Sequence, residues 1–126
     1  IDRGLVHLRR AVALDPANPG FRLMLARALI DSGAGAEALR IAARPAGPLK
    51  DHSGAWHVRA EAADAAGDDA AAAEAWTALA RLNPDEWRAW SNAGTALARL
   101  ERWGEAADAL IAARRLNPDK LGLRRN

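Results

Sequence analysis

The stretch LNPDEWRAW at residues 82–90 contains a phrase that returns later in the chain, as LNPD at residues 116–119. The two prolines of these phrases, Pro84 and Pro118, lie 34 residues apart (118 − 84). A fixed interval of this size is typical of proteins built from one repeated supersecondary unit. A proline placed this way ends one helix and suits the first turn of the next. We therefore expect LNP to recur for folding and not for chemistry.

The same interval relates two tryptophans, Trp56 and Trp90 (90 − 56). A further copy begins after Asp15-Pro16, and the segment before it matches only the second half of a copy. Because the first residue is not Met, we expect the chain to be a piece of a longer protein. We divide a single repeat domain, residues 1–126, into a half repeat (1–16), three repeats (19–52, 53–86 and 87–118) and the start of a further or capping helix (119–126).

Each copy contains two apolar blocks with helical spacing, separated by a turn. Gly33 and Gly67 stand where a first helix should end, because glycine adopts left-handed backbone geometry without strain. Pro45 comes early in the first copy, so the second helix of that copy should stop near Arg44. Seven helices are expected, at about 2–14, 19–32, 35–44, 53–66, 69–82, 85–99 and 103–116.

These features together resemble the tetratricopeptide repeat family. The resemblance implies an all-α fold, an α-solenoid of stacked antiparallel helical hairpins wound as a right-handed superhelix. In such a fold each hairpin buries its apolar face against its neighbours, and we expect Trp90 to fill the core between two hairpins. The third copy matches the family pattern best, through Trp90, Ala93-Gly94, Leu97, Ala106, Leu110, Ala113 and Pro118.

Two arginines depart from the repeat pattern. Arg22 stands where tryptophan stands in both later copies. Arg59 takes the position that Leu25 has in the first copy. We expect the stem of Arg59 to lie on apolar surface and its charged head to remain in water. The early proline also predicts a long, irregular connection that runs through His52.

Composition argues against several classes of function. The 18 basic and 16 acidic residues are interspersed, so the chain lacks the concentrated basic face of a nucleic-acid binder. No apolar run approaches the ~18 residues of a membrane span, and there is no cysteine for thiolate ligation. The compartment stays open between the cytoplasm, which we favour, and the periplasm. Ala-rich, Arg-rich and Lys-poor composition suggests a bacterial genome.

No residue pattern indicates an enzyme in this stretch. His52 and His57 lie five residues apart, which does not place them on one helical face as metal ligands would be. The segment GAGAEA at residues 33–38 lacks the lysine of a phosphate-binding loop, and no serine sits in a nucleophile elbow. We therefore expect no catalytic residue, no cofactor and no metal in this chain.

The family resemblance implies that the first helices of the copies line a concave groove for a partner. The alternative is that the same residues form only the solvated face of amphipathic helices. The expected groove is acidic in the middle and basic towards its C-terminal end. Its residues are Leu23, Arg27, Ile30 and Asp31 in the first copy, His57, Glu61, Asp64 and Ala65 in the second, and Arg88, Ser91, Asn92, Thr95 and Arg99 in the third.

Two functions follow from the resemblance. The first is a protein-interaction scaffold that binds a peptide or helix of a partner, with an acidic or mixed-charge ligand expected. The alternative is an accessory repeat region that positions substrates for a larger bacterial enzyme, such as a transferase. We also expect self-association through uncapped ends that expose Leu5, Leu8 and Val12, because repeat arrays need polar caps.

Overall fold

The computed structural model describes residues 3–45 and 49–117. These residues form seven helices and no strand. None of the described helices is both long and apolar enough to cross a bilayer. The helices are α1 (Arg3–Leu14), α2 (Pro19–Asp31), α3 (Gly35–Ile41), α4 (Ser53–Ala66), α5 (Asp69–Leu82), α6 (Trp87–Arg99) and α7 (Trp103–Leu116).

The helix bounds agree closely with the sequence, with one exception. The expected helices at 53–66, 69–82 and 103–116 have the predicted ends. The exception is α3, which ends at Ile41 and not near Arg44. Pro45 has no backbone N–H, so it cannot donate the hydrogen bond that Ile41 would accept one turn later. The helical start expected at residues 119–126 lies outside the described residues.

Local caps explain why the helices begin where they do. Asn18 accepts a hydrogen bond from the Phe21 N–H at 3.1 Å through its side-chain oxygen, and Pro19 occupies the first helical position of α2. His52 caps α4 in the same way, because its Nδ1 accepts from the Ala55 N–H at 3.0 Å. Gly67 ends α4 with φ at 73°, the left-handed geometry that glycine was expected to supply.

The chain divides into two compact units, Ile1–Asp68 and Asp69–Asn126, called here the N-terminal and C-terminal units. The boundary falls inside the repeat expected at residues 53–86. The N-terminal unit contains α1 to α4, and the C-terminal unit contains α5 to α7. The division of the chain into repeats stays a prediction.

The core of the N-terminal unit is a cluster of buried side chains to which α1 also contributes. Leu25 and Leu29 of α2 are fully buried, together with Ala38 of α3 and Ala62 of α4. Leu5, Leu8 and Val12 of α1 are half-buried against this cluster. Packing against the core therefore covers part of the apolar face that we expected α1 to expose, whereas Val6 and Leu14 of α1 are exposed, and self-association stays a prediction.

The C-terminal unit has an alanine-rich core in which α6 packs against both α5 and α7. Ala93 and Leu97 of α6 are buried, as are Ala106 and Ala113 of α7. Gly94 allows a close approach here, because a Cβ atom at this position would lie 2.6 Å from Cγ of Leu110. Small residues thus bring α6 and α7 together, as the repeat pattern predicts.

Candidate functional site

One position of the repeat fixes the turn that precedes the first helix of the second and third copies. Trp56 donates its indole N–H to the carbonyl of Lys50 at 2.7 Å, and Trp90 donates to the carbonyl of Pro84 at 3.0 Å. In both cases the acceptor lies six residues earlier. Trp56 is buried, but Trp90 is only half-buried. The expectation that Trp90 fills a core is therefore wrong: its ring remains partly open to solvent.

The arginine at the same position of the first copy makes a different contact. Arg22 donates from Nη2 to the carbonyl of Ile41 at 2.9 Å, and Arg59 donates from Nη1 to the carbonyl of Ala42 at 2.8 Å. Both carbonyls lie at the end of α3, which Pro45 terminates early. The two guanidinium groups replace the backbone donors that the broken helix lacks. Arg59 therefore does not keep its head in water as expected.

Four of the groove residues predicted in the N-terminal unit come together between α2 and α4. Arg27 lies 2.6 Å from Oε1 of Glu61, and Nδ1 of His57 lies 3.0 Å from the same oxygen. The hydrogen bond to Glu61 raises the pKa of Arg27 above its ordinary value, and the nearby charge of Asp31 adds to this shift. The charges of Arg27 and Glu61 offset each other, so this surface has a mixed character.

The other predicted groove residues of the N-terminal unit have unlike environments. Asp64 and Ala65 are exposed on α4, whereas Ile30 packs against the core cluster. Leu23 is half-buried and lines a cavity near the end of α3. Ala65 also limits the approach of α3, because a Cβ atom at Gly35 would lie 2.5 Å from its carbonyl carbon. Ile30 therefore contributes to folding more than to a binding surface.

The residues predicted in the third copy form one stripe along α6. Arg88 is exposed, with its guanidinium carbon 5.1 Å from the ring centroid of Trp87. Asn92 is half-buried, and Thr95 donates its hydroxyl to the carbonyl of Ser91 at 3.1 Å. Arg99 lies at the other end of the stripe, 3.7 Å from a carboxylate oxygen of Asp69. We call these four residues, Arg88, Asn92, Thr95 and Arg99, the α6 stripe.

The sequence did not predict two cavities that the structure contains, one within each unit. The cavity of the N-terminal unit has a volume of about 350 Å³ and lies beside Arg22 and the end of α3. The cavity of the C-terminal unit has a volume of about 300 Å³ and lies beside Trp90, Glu105 and Asp108. Arg22 and Pro45, which line the first cavity, are visible in the sequence as departures from the repeat pattern. The sequence does not predict the volume of the cavity.

Metal binding finds no support in the described residues. In residues 3–45 and 49–117, no three His, Cys, Asp or Glu side chains cluster as metal ligands would. His52 instead caps α4, and His57 lies beside Glu61.

Comparison with known proteins identifies the repeat. Two models described as tetratricopeptide repeat match the chain, one over residues 1–62 and the other over residues 57–120. No curated protein sequence matches it significantly.

Sixteen chains of solved structures match the fold. A structure described as MamA AMB-1 is 20% identical, with a TM-score of 0.80 over 93% of this chain and 69% of that one. A second structure of MamA is 17% identical, with a TM-score of 0.78 over 95% of this chain and 78% of that one. These matches confirm the all-α solenoid fold class, while the handedness of the superhelix stays a prediction.

Proposed function

The chain belongs to the tetratricopeptide repeat family, and on this premise we propose that it binds a carboxylate-bearing segment of a partner protein along the α6 stripe. A member of this family is a protein-interaction module, which leaves the binding surface and the chemistry of the partner to be assigned. The positioning of substrates for a larger enzyme remains the alternative use of such a module.

The observation that carries the proposal is the arrangement of polar groups along α6. The four residues of the stripe follow one another at intervals of four, three and four, so they share one face of the helix. Arg88 and Arg99 are both exposed at the ends of this face. Guanidinium groups bind carboxylates in a two-pronged way, and the amide of Asn92 can donate to a peptide carbonyl between them.

The ion pairs of the described residues favour the C-terminal unit as the acidic-ligand surface. Arg27 of the N-terminal unit already shares an oxygen of Glu61 at 2.6 Å, so its charge is largely neutralised within the protein. Arg99 has a longer contact of 3.7 Å with Asp69, which an incoming carboxylate can displace at lower cost. Glu61 and Asp64 would then favour a basic residue elsewhere in a mixed-charge ligand.

A peptide library displayed on phage tests the proposal even though the partner is unidentified. Selection on the immobilised chain at low salt should enrich peptides that contain Asp or Glu, because exposed charges act most strongly there. The best peptide is then synthesised and its affinity measured by isothermal titration calorimetry. The double variant Arg88→Ala/Arg99→Ala should weaken binding about 30-fold or more if both arginines are hot spots.

The matched control removes two positive charges from another helix. Arg114 and Arg115 are exposed in the last turn of α7, so Arg114→Ala/Arg115→Ala changes the net charge equally without touching α6. This control should bind the selected peptide with nearly unchanged affinity, and circular dichroism should show intact helices in both variants. If the α6 variant binds the peptide at low salt with the affinity of the parent chain, the binding surface lies elsewhere. The connection at residues 45–52 is then the first alternative.

A further inference from the structure

The cavity of the N-terminal unit is an apolar pocket with cationic side chains on its wall. Its volume of about 350 Å³ lies within the range of about 300–1,000 Å³ usual for ligand pockets. Leu23, Ile41, Pro45 and Leu49 supply much of its apolar lining. This cavity is called the Arg22 pocket below.

Charge gives the Arg22 pocket a preference for an anion. Arg22 and Arg44 line it, and no Asp or Glu does so among the described residues. Arg22 is half-buried, and its contact within the described chain is the single hydrogen bond to the carbonyl of Ile41. No described carboxylate pairs with it, so a positive charge with spare N–H donors stands at the edge of an apolar cavity. Such a charge is stabilised by an anion that enters the cavity.

The cavity of the C-terminal unit has the opposite chemistry at equivalent positions. Trp90 lines it where Arg22 lines the first cavity, and Ala112 stands where Arg44 does. Glu105 and Asp108 also line it, together with Arg81, so its cation faces two carboxylates. A lining with arginines and no carboxylate, among the described residues, is therefore particular to the first copy and does not follow from the repeat itself. It results from two departures in sequence, the arginine at residue 22 and the proline that ends α3.

We propose that the Arg22 pocket binds an apolar side chain with a carboxylate beside it, presented by a partner protein. The aliphatic group would fill the space between Leu23, Ile41 and Leu49, and the carboxylate would accept hydrogen bonds from Arg22. That the occupant comes from a protein rests on the proposed function, whereas its chemistry rests on the pocket alone. The pocket belongs to the N-terminal unit and the α6 stripe to the C-terminal unit, so the two do not share residues and the pocket is a second anchor point.

A pair of small probes tests the chemistry directly. N-acetyl-leucine carries an aliphatic side chain and a carboxylate, and N-acetyl-leucinamide carries the same side chain without the charge. Each is titrated into the ¹⁵N-labelled chain while the backbone amide signals are followed by NMR. The acid should shift the signals of Leu23, Ile41 and Leu49, and the amide should bind at least about tenfold more weakly, because the charge-assisted hydrogen bond is lost.

Three variants separate the pocket from general effects of charge and folding. Arg22→Gln should lower the affinity for N-acetyl-leucine about tenfold or more. Arg10→Gln removes an exposed charge from α1 and should leave the affinity unchanged. Arg22→Trp introduces the residue of the two later copies, and its indole should fill the cavity and abolish binding while the helices remain intact by circular dichroism.

Each contrary result overturns a stated part of the proposal. Equal binding of the acid and the amide, or unchanged binding of the acid to Arg22→Gln, would contradict the proposed contact between the carboxylate and Arg22. An absence of shifts with either probe would remove the pocket as a site. A peptide Ac-Gly-Leu-Glu-Gly-NH₂ that binds no better than octanoate would assign the pocket to a small fatty acid instead of a protein. Because these probes do not use the α6 stripe, their failure leaves the α6 proposal standing, and the reverse also holds.

Discussion

The first helices of the first and third copies use the same repeat position to satisfy carbonyls in different parts of the fold. In α6, Trp90 uses its indole N–H to hold the preceding turn through the carbonyl of Pro84. In α2, Arg22 reaches across to the end of α3 and donates to the carbonyl of Ile41. The indole thus binds the turn that precedes its own helix, whereas the guanidinium binds the C-terminal end of the neighbouring helix.

This difference shows that a repeat position is defined by its place in the fold and not by one interaction. Where the second helix of a copy is complete, its carbonyls are satisfied within the helix and the position is free to hold the turn. Where Pro45 shortens α3, the carbonyl of Ile41 accepts from the Ala43 N–H and from a side-chain donor, and the carbonyl of Ala42 also accepts from a side-chain donor. Arg22 and Arg59 supply these donors, and a cavity opens beside them.

The largest expected effect tests how much the burial of the tryptophan at this repeat position contributes to the free energy of unfolding. Trp56→Ala should destabilise the chain by about 3–5 kcal/mol, because Trp56 is 7% exposed. Trp90→Ala should cost about 2 kcal/mol, since part of its ring is open to solvent although it makes the same hydrogen bond. Urea unfolding followed by circular dichroism gives both values.

The control for this pair is Trp103→Ala, because Trp103 is 63% exposed and a surface substitution usually changes stability by no more than about 0.5 kcal/mol. An equal loss for Trp56→Ala and Trp90→Ala would contradict the contrast, since it would mean that the hydrogen bond, and not burial, sets the stability.

Most of the fold follows from local signals in the sequence. The start of α2 is fixed by Asn18 and Pro19, whose roles depend only on residues within one turn. The end of α4 is fixed by Gly67, because glycine adopts the left-handed geometry found there with the least strain. Family recognition rests on the same local pattern, repeated at a constant interval.

What the sequence could not predict depends on contacts between distant residues. The hydrogen bonds by which Arg22 and Arg59 satisfy the end of α3 depend on which helix faces meet. The pairing of Arg27 with Glu61 is of the same kind, because these residues are 34 positions apart. Periodicity placed both on exposed helical faces, but it could not show that their charges offset each other.

A second, smaller effect compares the close helix approaches of the two units. Gly35→Ala should destabilise the chain by about 1–3 kcal/mol, because the new Cβ would lie 2.5 Å from the backbone of Ala65, which cannot move independently. Gly94→Ala should destabilise the chain less, by about 1 kcal/mol, because its Cβ would lie 2.6 Å from Cγ of Leu110, a partly exposed side chain that can shift, and 3.2 Å from the carbonyl oxygen of Ala106. Helix propensity favours alanine over glycine by about 1 kcal/mol, which offsets part of the cost at either position.

Thermal unfolding of the two glycine variants measures this contrast, and Gly104→Ala is the control because nothing lies near its added Cβ atom. That control should raise the midpoint slightly through helix propensity alone. A neutral Gly35→Ala would show that α3 can move away from α4, and that the shortened helix is less firmly placed than its contacts indicate.

The smallest effect concerns two glutamates at the same position of the repeat, 68 residues apart (105 − 37). Glu37 accepts hydrogen bonds from Arg9 of α1 and so joins two helices, whereas Glu105 pairs with Arg102 only three residues before it. The hydrogen bond from Arg9 lowers the pKa of Glu37 below its ordinary value. A depressed carboxyl pKa stabilises the fold above the unfolded pKa of ~4.3, and this contribution is lost as the pH falls through the folded value.

Glu37→Gln should therefore lower the thermal midpoint more than Glu105→Gln at pH 7, and both differences should shrink in high salt. In acid well below pH ~4.3 the difference in thermal midpoint between Glu37→Gln and the parent chain should disappear. A difference that persisted there would mean that the glutamine perturbs the contact of α1 with α3 through its shape and not through its missing charge.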